Sequence, residues 1–152
     1  RMLGKGQFGK VYVAQDLKTK KTVAIKQIEF SVKGDQDMKY IMSEMSILAA
    51  CNSDYVMKML AKRPYAVKIG QGKYQLWAVL EYCSGGSLEH YESKCNKQLL
   101  KTIMKHTLAG IHYLHSQKII HRDIKPANIL KGSDNRYKLA DLGMAKKVDG
   151  MV

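Results

Sequence analysis

His121-Arg122-Asp123-Ile124-Lys125-Pro126-Ala127-Asn128 is the stretch from which the rest of the chain is read. An acid, a base two positions on and an amide three further can place a proton acceptor, an anion-facing cation and a metal ligand in one short turn. Pro126 stiffens such a turn, because its ring fixes its own φ and pushes Lys125 towards extended backbone. Any one of these side chains alone would pass for part of a solvated polar loop. Eight residues in this order read as a catalytic loop.

Upstream, Gly4-Lys5-Gly6-Gln7-Phe8-Gly9-Lys10-Val11 spells G-x-G-x-x-G-x-V and runs on to Val13 and a polar turn at 18–21. This predicts strand, glycine turn, strand. Glycine opens backbone conformations closed to other residues and lets amide N–H groups approach phosphate oxygens. A dinucleotide-binding reading needs a helix opening at the third glycine; Val11-Tyr12-Val13-Ala14 continues as strand, so that reading fails. Val23-Ala24-Ile25-Lys26 is expected to end the next strand on a lysine, a residue that at a strand edge often only guards against aggregation. Over 38–50, Met38, Ile41, Met42, Met45, Leu48 and Ala49 repeat at helical spacing, with Glu44 expected as the only acid of that helix.

Residues 55–68 and 74–80 read as two strands around the turn Gly70-Gln71-Gly72-Lys73, with Pro64 as a bulge or edge in the first. The second runs into Glu81-Tyr82-Cys83-Ser84-Gly85-Gly86, a short linker with twin glycine. A long helix over 98–116 is expected to bury Leu99, Ile103, Met104, Leu108, Ile111 and Leu114 as one stripe. His106, His112 and His115 lie in or beside it without the cysteine or carboxylate partners of a tetrahedral metal site. Ile129-Leu130 and Tyr137-Lys138-Leu139-Ala140, around Gly132-Ser133-Asp134-Asn135, predict a short hairpin that delivers Asp141-Leu142-Gly143.

In this order and at these distances the segments resemble the catalytic domain of eukaryotic protein kinases of the serine/threonine type. The resemblance implies an α+β, bilobal protein-kinase-like fold. Residues 1–80 would form an antiparallel small lobe with the family's helix αC, 81–87 a hinge, and 88–152 the first part of a mainly helical large lobe. It further implies ATP and Mg as cofactors. Gly4, Lys5, Gly6, Gln7, Phe8 and Gly9 would cover the phosphates, and Val11, Ala24, Leu80 and Leu130 would contact the nucleotide, with Leu80 as gatekeeper. The backbone of Glu81 and Cys83 would bond adenine, and Lys26, oriented by Glu44, would hold the α- and β-phosphates. Asp123 would accept or orient the proton of the acceptor hydroxyl while Lys125 faces the γ-phosphate. Asn128 and Asp141 would ligate Mg²⁺, a hard cation suited to oxygen donors. Lys125-Pro126 marks a serine/threonine acceptor within the family. Leu142 departs from the usual D-F-G; leucine can still fill an apolar slot, so the departure bears on the balance of active and inactive states, not on the metal. Met45-Ser46-Ile47-Leu48, Leu88 and Lys138-Leu139-Ala140-Asp141 are loosely similar to the sterile-twenty-like and NIMA-related groups.

The bulk properties bound this reading. The 152 residues suit one domain, and an apolar share of 45% suits a packed core. A kinase domain needs about 250 residues, so the chain is expected to be a piece that lacks the activation segment and is inactive alone. The 26 basic and 13 acidic residues give +13, but the basic residues are dispersed, which favours a solvated surface over a nucleic-acid partner. Three cysteines without a C-x-x-C suit an intracellular, cytoplasmic setting, and no apolar run has the length of a membrane span. The oligomeric state is left open. A pseudokinase scaffold and a small-molecule kinase share parts of the pattern. Lys26, Asp123 and Asp141 together argue against the first, and V-A-I-K with Lys125-Pro126 against the second.

Overall fold

A computed structural model describes residues 1–6, 9–32, 35–91 and 95–149, so Gln7 and Phe8 lie outside the described residues. The chain divides into two compact units, Arg1–Ala50 with Met59–Tyr82 and Cys51–Lys58 with Cys83–Val152.

The first unit is an antiparallel sheet of β1 (Met2–Gly6), β2 (Gly9–Gln15), β3 (Thr22–Ser31), β4 (Tyr65–Gly70) and β5 (Lys73–Glu81), in the order β1-β2-β3-β5-β4. Helix α1 (Asp35–Ala50) completes it. Thr22, Val23, Ile25 and Ile28 give β3 the branched side chains that suit a pleated surface. Lys26 lies mid-strand in β3 instead of ending it, because β3 continues five residues further, to Ser31. The expected strand over 55–68 is also corrected. Only Tyr65–Gly70 forms a strand, opening directly after Pro64, while Val56 and Met59 make isolated bridges. Proline has no N–H for the ladder and marks where pairing begins. Helix α1 starts three residues earlier than its apolar repeat, at Asp35, so Asp35 and Asp37 are helical too and Glu44 is not the sole acid.

In the second unit, α2 (Lys97–Ser116) carries the core. The Asn96 side chain accepts from Leu99 N at 2.8 Å and so satisfies one of the orphan donors of the first turn. Two small pairs, β6 (Ile119–Ile120) with β9 (Lys146–Lys147) and β7 (Ile129–Lys131) with β8 (Tyr137–Leu139), complete the unit. The six-residue stripe predicted for the long helix is wrong in part. The buried face of α2 is Ile103, Thr107, Gly110 and Leu114, whereas Met104 and Leu108 are exposed together with Leu100. Gly110 shows why an apolar count misplaced the face: the close approach of Tyr55 and Leu139 there asks for a residue without a side chain. The segment 51–58 packs against this unit through Met57 N to Leu139 O, Leu139 N to Tyr55 O and Asn52 N to Tyr113 Oη. Val56, Leu114 and Leu139 at its centre are fully buried. Among the described residues, no helix is long and apolar enough to cross a membrane.

Candidate active site

Strand register decides which residues of the first unit can act together. Val11 stands opposite Lys26, and Lys26 opposite Ala78; in the next row Val13 stands opposite Ala24, and Ala24 opposite Leu80. Directly paired residues share a face and neighbours along a strand alternate, so Val11, Ala24, Lys26 and Leu80 are on one face of the sheet. The Lys26 Nζ pairs with the Glu44 carboxylate of α1, with side chains only 13% and 4% exposed. That contact singles out Glu44, which the helix composition does not. At the glycine turn, Gly6 stands opposite Gly9. A Cβ on Gly9 would lie 2.1 Å from Gln27 O at a φ of +149°, so only glycine lets β2 pass this close to β3. Gly4 and Lys5 are in β1, exposed, and Glu81 closes β5 opposite Val23.

In the second unit, the stretch 121–128 forms a clamped loop. The His121 ring is buried; its Nε2 donates to Ala140 O at 2.8 Å and its Nδ1 accepts from Asp123 N at 3.1 Å. A carbonyl can only accept and an N–H only donate, so this ring is the neutral Nε2–H tautomer. Arg122 takes a left-handed φ of 66° and donates from Nε to Met144 O at 2.6 Å. The Asn128 Nδ2 donates to both the backbone O and the Oδ2 of Asp123, each at 2.9 Å. The Lys125 Nζ lies 3.5 Å from Asp123 Oδ1. As expected from Pro126, Lys125 is extended, at φ −159° and ψ 161°, and Pro126–Asn128 is a 3₁₀ turn. Asn128 O accepts from Ala140 N at 2.8 Å, which ties the loop to the end of β8.

Asp141 follows with φ 56° and its side chain accepts from Gly143 N, while Leu142 is buried. Arg122 and Asp141 are thus two non-glycine residues held in a sparsely populated backbone region, a strain that persists only where surroundings over-determine it and that gathers at functional sites. Leu130 sits in β7, where Ser87 bridges it, and Lys131 exchanges hydrogen bonds with Gly85 and Gly86. The Cys83 carbonyl accepts from Gly86 N at 3.3 Å. The residues suit a magnesium ion by donor chemistry. With its amide nitrogen committed to Asp123, Asn128 retains a carbonyl oxygen for another partner, and Asp141 contributes carboxylate oxygen, the atom type that a hard cation prefers.

Compared with known proteins, residues 1–152 match the protein kinase domain. The chain belongs to the protein kinase family. It is 38% identical over 149 residues to serine/threonine-protein kinase 10 of Xenopus tropicalis, covering 95% of this chain and 15% of that protein. Serine/threonine-protein kinase 10-A of Xenopus laevis is 38% identical over 149 residues with the same coverage. Serine/threonine-protein kinase 1 of Arabidopsis thaliana is 37% identical over 150 residues, or 96% of this chain and 17% of that one. The chain therefore spans 15% to 17% of the length of these curated relatives.

For the kinase chain the α+β class holds, and a five-stranded antiparallel sheet with one helix is consistent with the family's small lobe. Two residues of the kinase loop are legible in the H-R-D letters, but only the structure shows what they do. His121 fixes the backbone of Asp123, and Arg122 ties the loop to Met144. The sequence assigns His106 of α2 no role, and the structure gives it one. Its Nδ1 accepts from Tyr137 N at 3.1 Å, and its ring lies between those of Tyr55 and Tyr137. Burial, with the Lys105 and Arg136 charges adding to it, holds the His106 pKa below its usual 6.5. On the same unit, burial would raise the Asp134 carboxyl, but the Arg136 amide and the Lys138 ammonium outweigh it and lower its pKa.

Proposed function

We propose that this protein transfers the γ-phosphoryl group of ATP to serine and threonine hydroxyls of protein substrates. Transfer of this kind asks for positioning and charge compensation far more than for covalent participation by the protein. The observation that carries the reading is the setting of Asp123. Its backbone is pinned by His121, its Oδ2 is oriented by Asn128, and Lys125 stands beside its Oδ1. A carboxylate held in this way can take up the proton of an incoming hydroxyl, while the exposed Lys125 ammonium balances phosphate charge. Lys26, steered by Glu44, holds the α- and β-phosphates. By the family resemblance Gly4, Lys5, Gly6, Gln7, Phe8 and Gly9 would serve the phosphates, and Val11, Ala24, Leu80, Leu130 and the backbone of Glu81 and Cys83 would serve the base. Asn128 and Asp141 would hold Mg²⁺, which when bound supplies compensation for the phosphate charge. We assign 1–80 as small lobe, 81–87 as hinge and 88–152 as large-lobe residues. Three cysteines without a C-x-x-C spacing support an intracellular setting.

The test is Asp123→Asn in the full-length protein, read as transfer to a generic protein acceptor and as phosphoamino-acid content of the product. Loss of the acceptor carboxylate should lower the rate by roughly 10²-fold or more with nucleotide affinity near normal. The unmodified protein should yield phosphoserine and phosphothreonine. Full turnover by the variant, or a product dominated by phosphotyrosine, refutes the assignment; nucleotide binding without any transfer by the unmodified protein marks a scaffold instead.

A further inference from the structure

The face of the sheet turned away from Lys26 has no part in the chemistry above, yet it ends in an unusual strand. β4 stands at the end of the sheet order, and among the described residues it is bonded only to β5. An end strand presents a row of backbone N–H and C=O groups without a neighbouring strand. All six residues of β4 are exposed, including Tyr65 at 61%, Val67 at 48% and Ile69 at 45%. Register places Tyr65 opposite Trp77 and Val67 opposite Gln75, and these stand opposite Gln27 and Glu29 of β3. Tyr65, Val67 and half-buried Trp77 therefore share the face opposite Lys26. Lysine or proline at an edge normally blunts such a strand; here Lys68 is flanked by branched and aromatic side chains that favour a further strand.

We propose that the free edge of β4 is a docking site for an extended acidic and apolar peptide segment of a protein partner, which adds to the sheet as a further strand. Main-chain hydrogen bonds supply affinity in this mode, and alternate side chains supply selectivity. Charge selects the occupant. Lys62, Arg63, Lys68 and Lys73 are exposed around the strand, and residues 59–73 contain no acid. The carboxylate across the sheet, Glu29, accepts from Gln75 Nε2 at 2.9 Å. A second copy of the chain, paired edge to edge, would set this basic rim against itself, and like charges opposed across strands destabilise. A lipid surface would meet the apolar and basic side chains but leave the strand's backbone groups unsatisfied.

Trp77 is the only tryptophan in the chain and stands beside Tyr65 on this face, so its fluorescence reports occupancy. The protein is titrated with a capped decapeptide of alternating glutamate and valine. Parallel titrations use the same peptide with lysine in place of glutamate, two versions N-methylated on alternate residues in opposite phase, and phosphatidylcholine vesicles containing phosphatidylserine. Saturable binding of the acidic peptide, at least tenfold weaker for the lysine peptide and for one of the two methylated versions, is the expected result. Tyr65→Ser and Lys68→Glu, both at exposed positions, should each weaken it by tenfold or more with thermal unfolding unchanged. Equal binding of acidic and basic peptides, equal binding of both methylated versions, a response to vesicles alone, or concentration-dependent dimerisation without peptide binding each overturns the proposal.

Discussion

Gly110→Ala sets two effects in opposition, and the structure says which prevails. In a helix interior, alanine is favoured over glycine by about 1 kcal/mol, so local propensity alone makes the substitution stabilising. At this position, however, a Cβ would lie 2.6 Å from the backbone oxygen of Tyr55 and 3.1 Å and 3.2 Å from Cδ1 and Cγ of Leu139. Leu139 is fully buried, so moving it disturbs its packed neighbours. Tyr55 O accepts from Leu139 N at 2.9 Å, so its retreat stretches the bond that fastens 51–58 to β8. Overpacking costs roughly 1–3 kcal/mol, and weakening that bond adds about 0.5–1.5 kcal/mol. After the propensity gain, a net loss of about 0.5–3.5 kcal/mol is expected. Urea unfolding gives the sum, and amide exchange at Leu139 and Met57 gives the local part, where each 1.4 kcal/mol is about tenfold in protection. Ala109→Gly on the same helix is the control and should cost about 1 kcal/mol through propensity alone. A Gly110→Ala protein more stable than the parent, with Leu139 exchange unchanged, would refute the close-approach argument.

Three further outcomes are expected. Glu44→Ala takes the carboxylate from Lys26 in a mostly buried pair and should cost on the order of 3 kcal/mol, while Lys26→Met with Glu44→Leu should recover most of that stability in thermal unfolding and still show no phosphoryl transfer; a double variant that retains transfer sinks the assigned role of the pair. For His106 the folded pKa lies below the unfolded 6.5, so the unfolded chain binds more protons between the two values and stability rises with pH there. The His106 contribution is thus complete above 6.5 and lost as the pH falls through the lowered folded value, and His106→Asn, which can accept from Tyr137 N without titrating, should flatten that part of an unfolding-midpoint profile. Burial pushes the Cys51 thiol up to about 11, so mass spectrometry after mild iodoacetamide treatment at neutral pH should find exposed Cys95 modified and Cys51 spared.

The motifs of the candidate site could be picked out in the sequence because each is a short run of letters. The loop 121–128, the glycine motif and the Asp141 triplet each carry local backbone demands in their letters, a proline opening a tight turn and a glycine where strands nearly touch, although the bonds from His121 to Ala140 and from Arg122 to Met144 that hold the loop are not written there. The hairpin of β7 and β8 and the strands β2, β3 and β5 followed from branched residues bounded by turn formers. The misreadings concern length and facing. The stretch 55–64 has the apolar content of a strand, yet its backbone is committed elsewhere, to Leu139 and Tyr113 for 52–57 and to Val79 for Leu60.

What the sequence determined by itself was therefore the family and the order of the elements, since both rest on short motifs and their spacing along the chain. Tertiary structure decided which acid of α1 meets Lys26, which face of α2 is buried, and that Val11, Ala24, Lys26 and Leu80 stand together. Each of these depends on register and close packing between segments distant along the chain. Gly110 is the clearest case: its letter reads as a weak point in a helix, and only the carbonyl of Tyr55, 55 positions earlier in the chain, makes it the residue that fits.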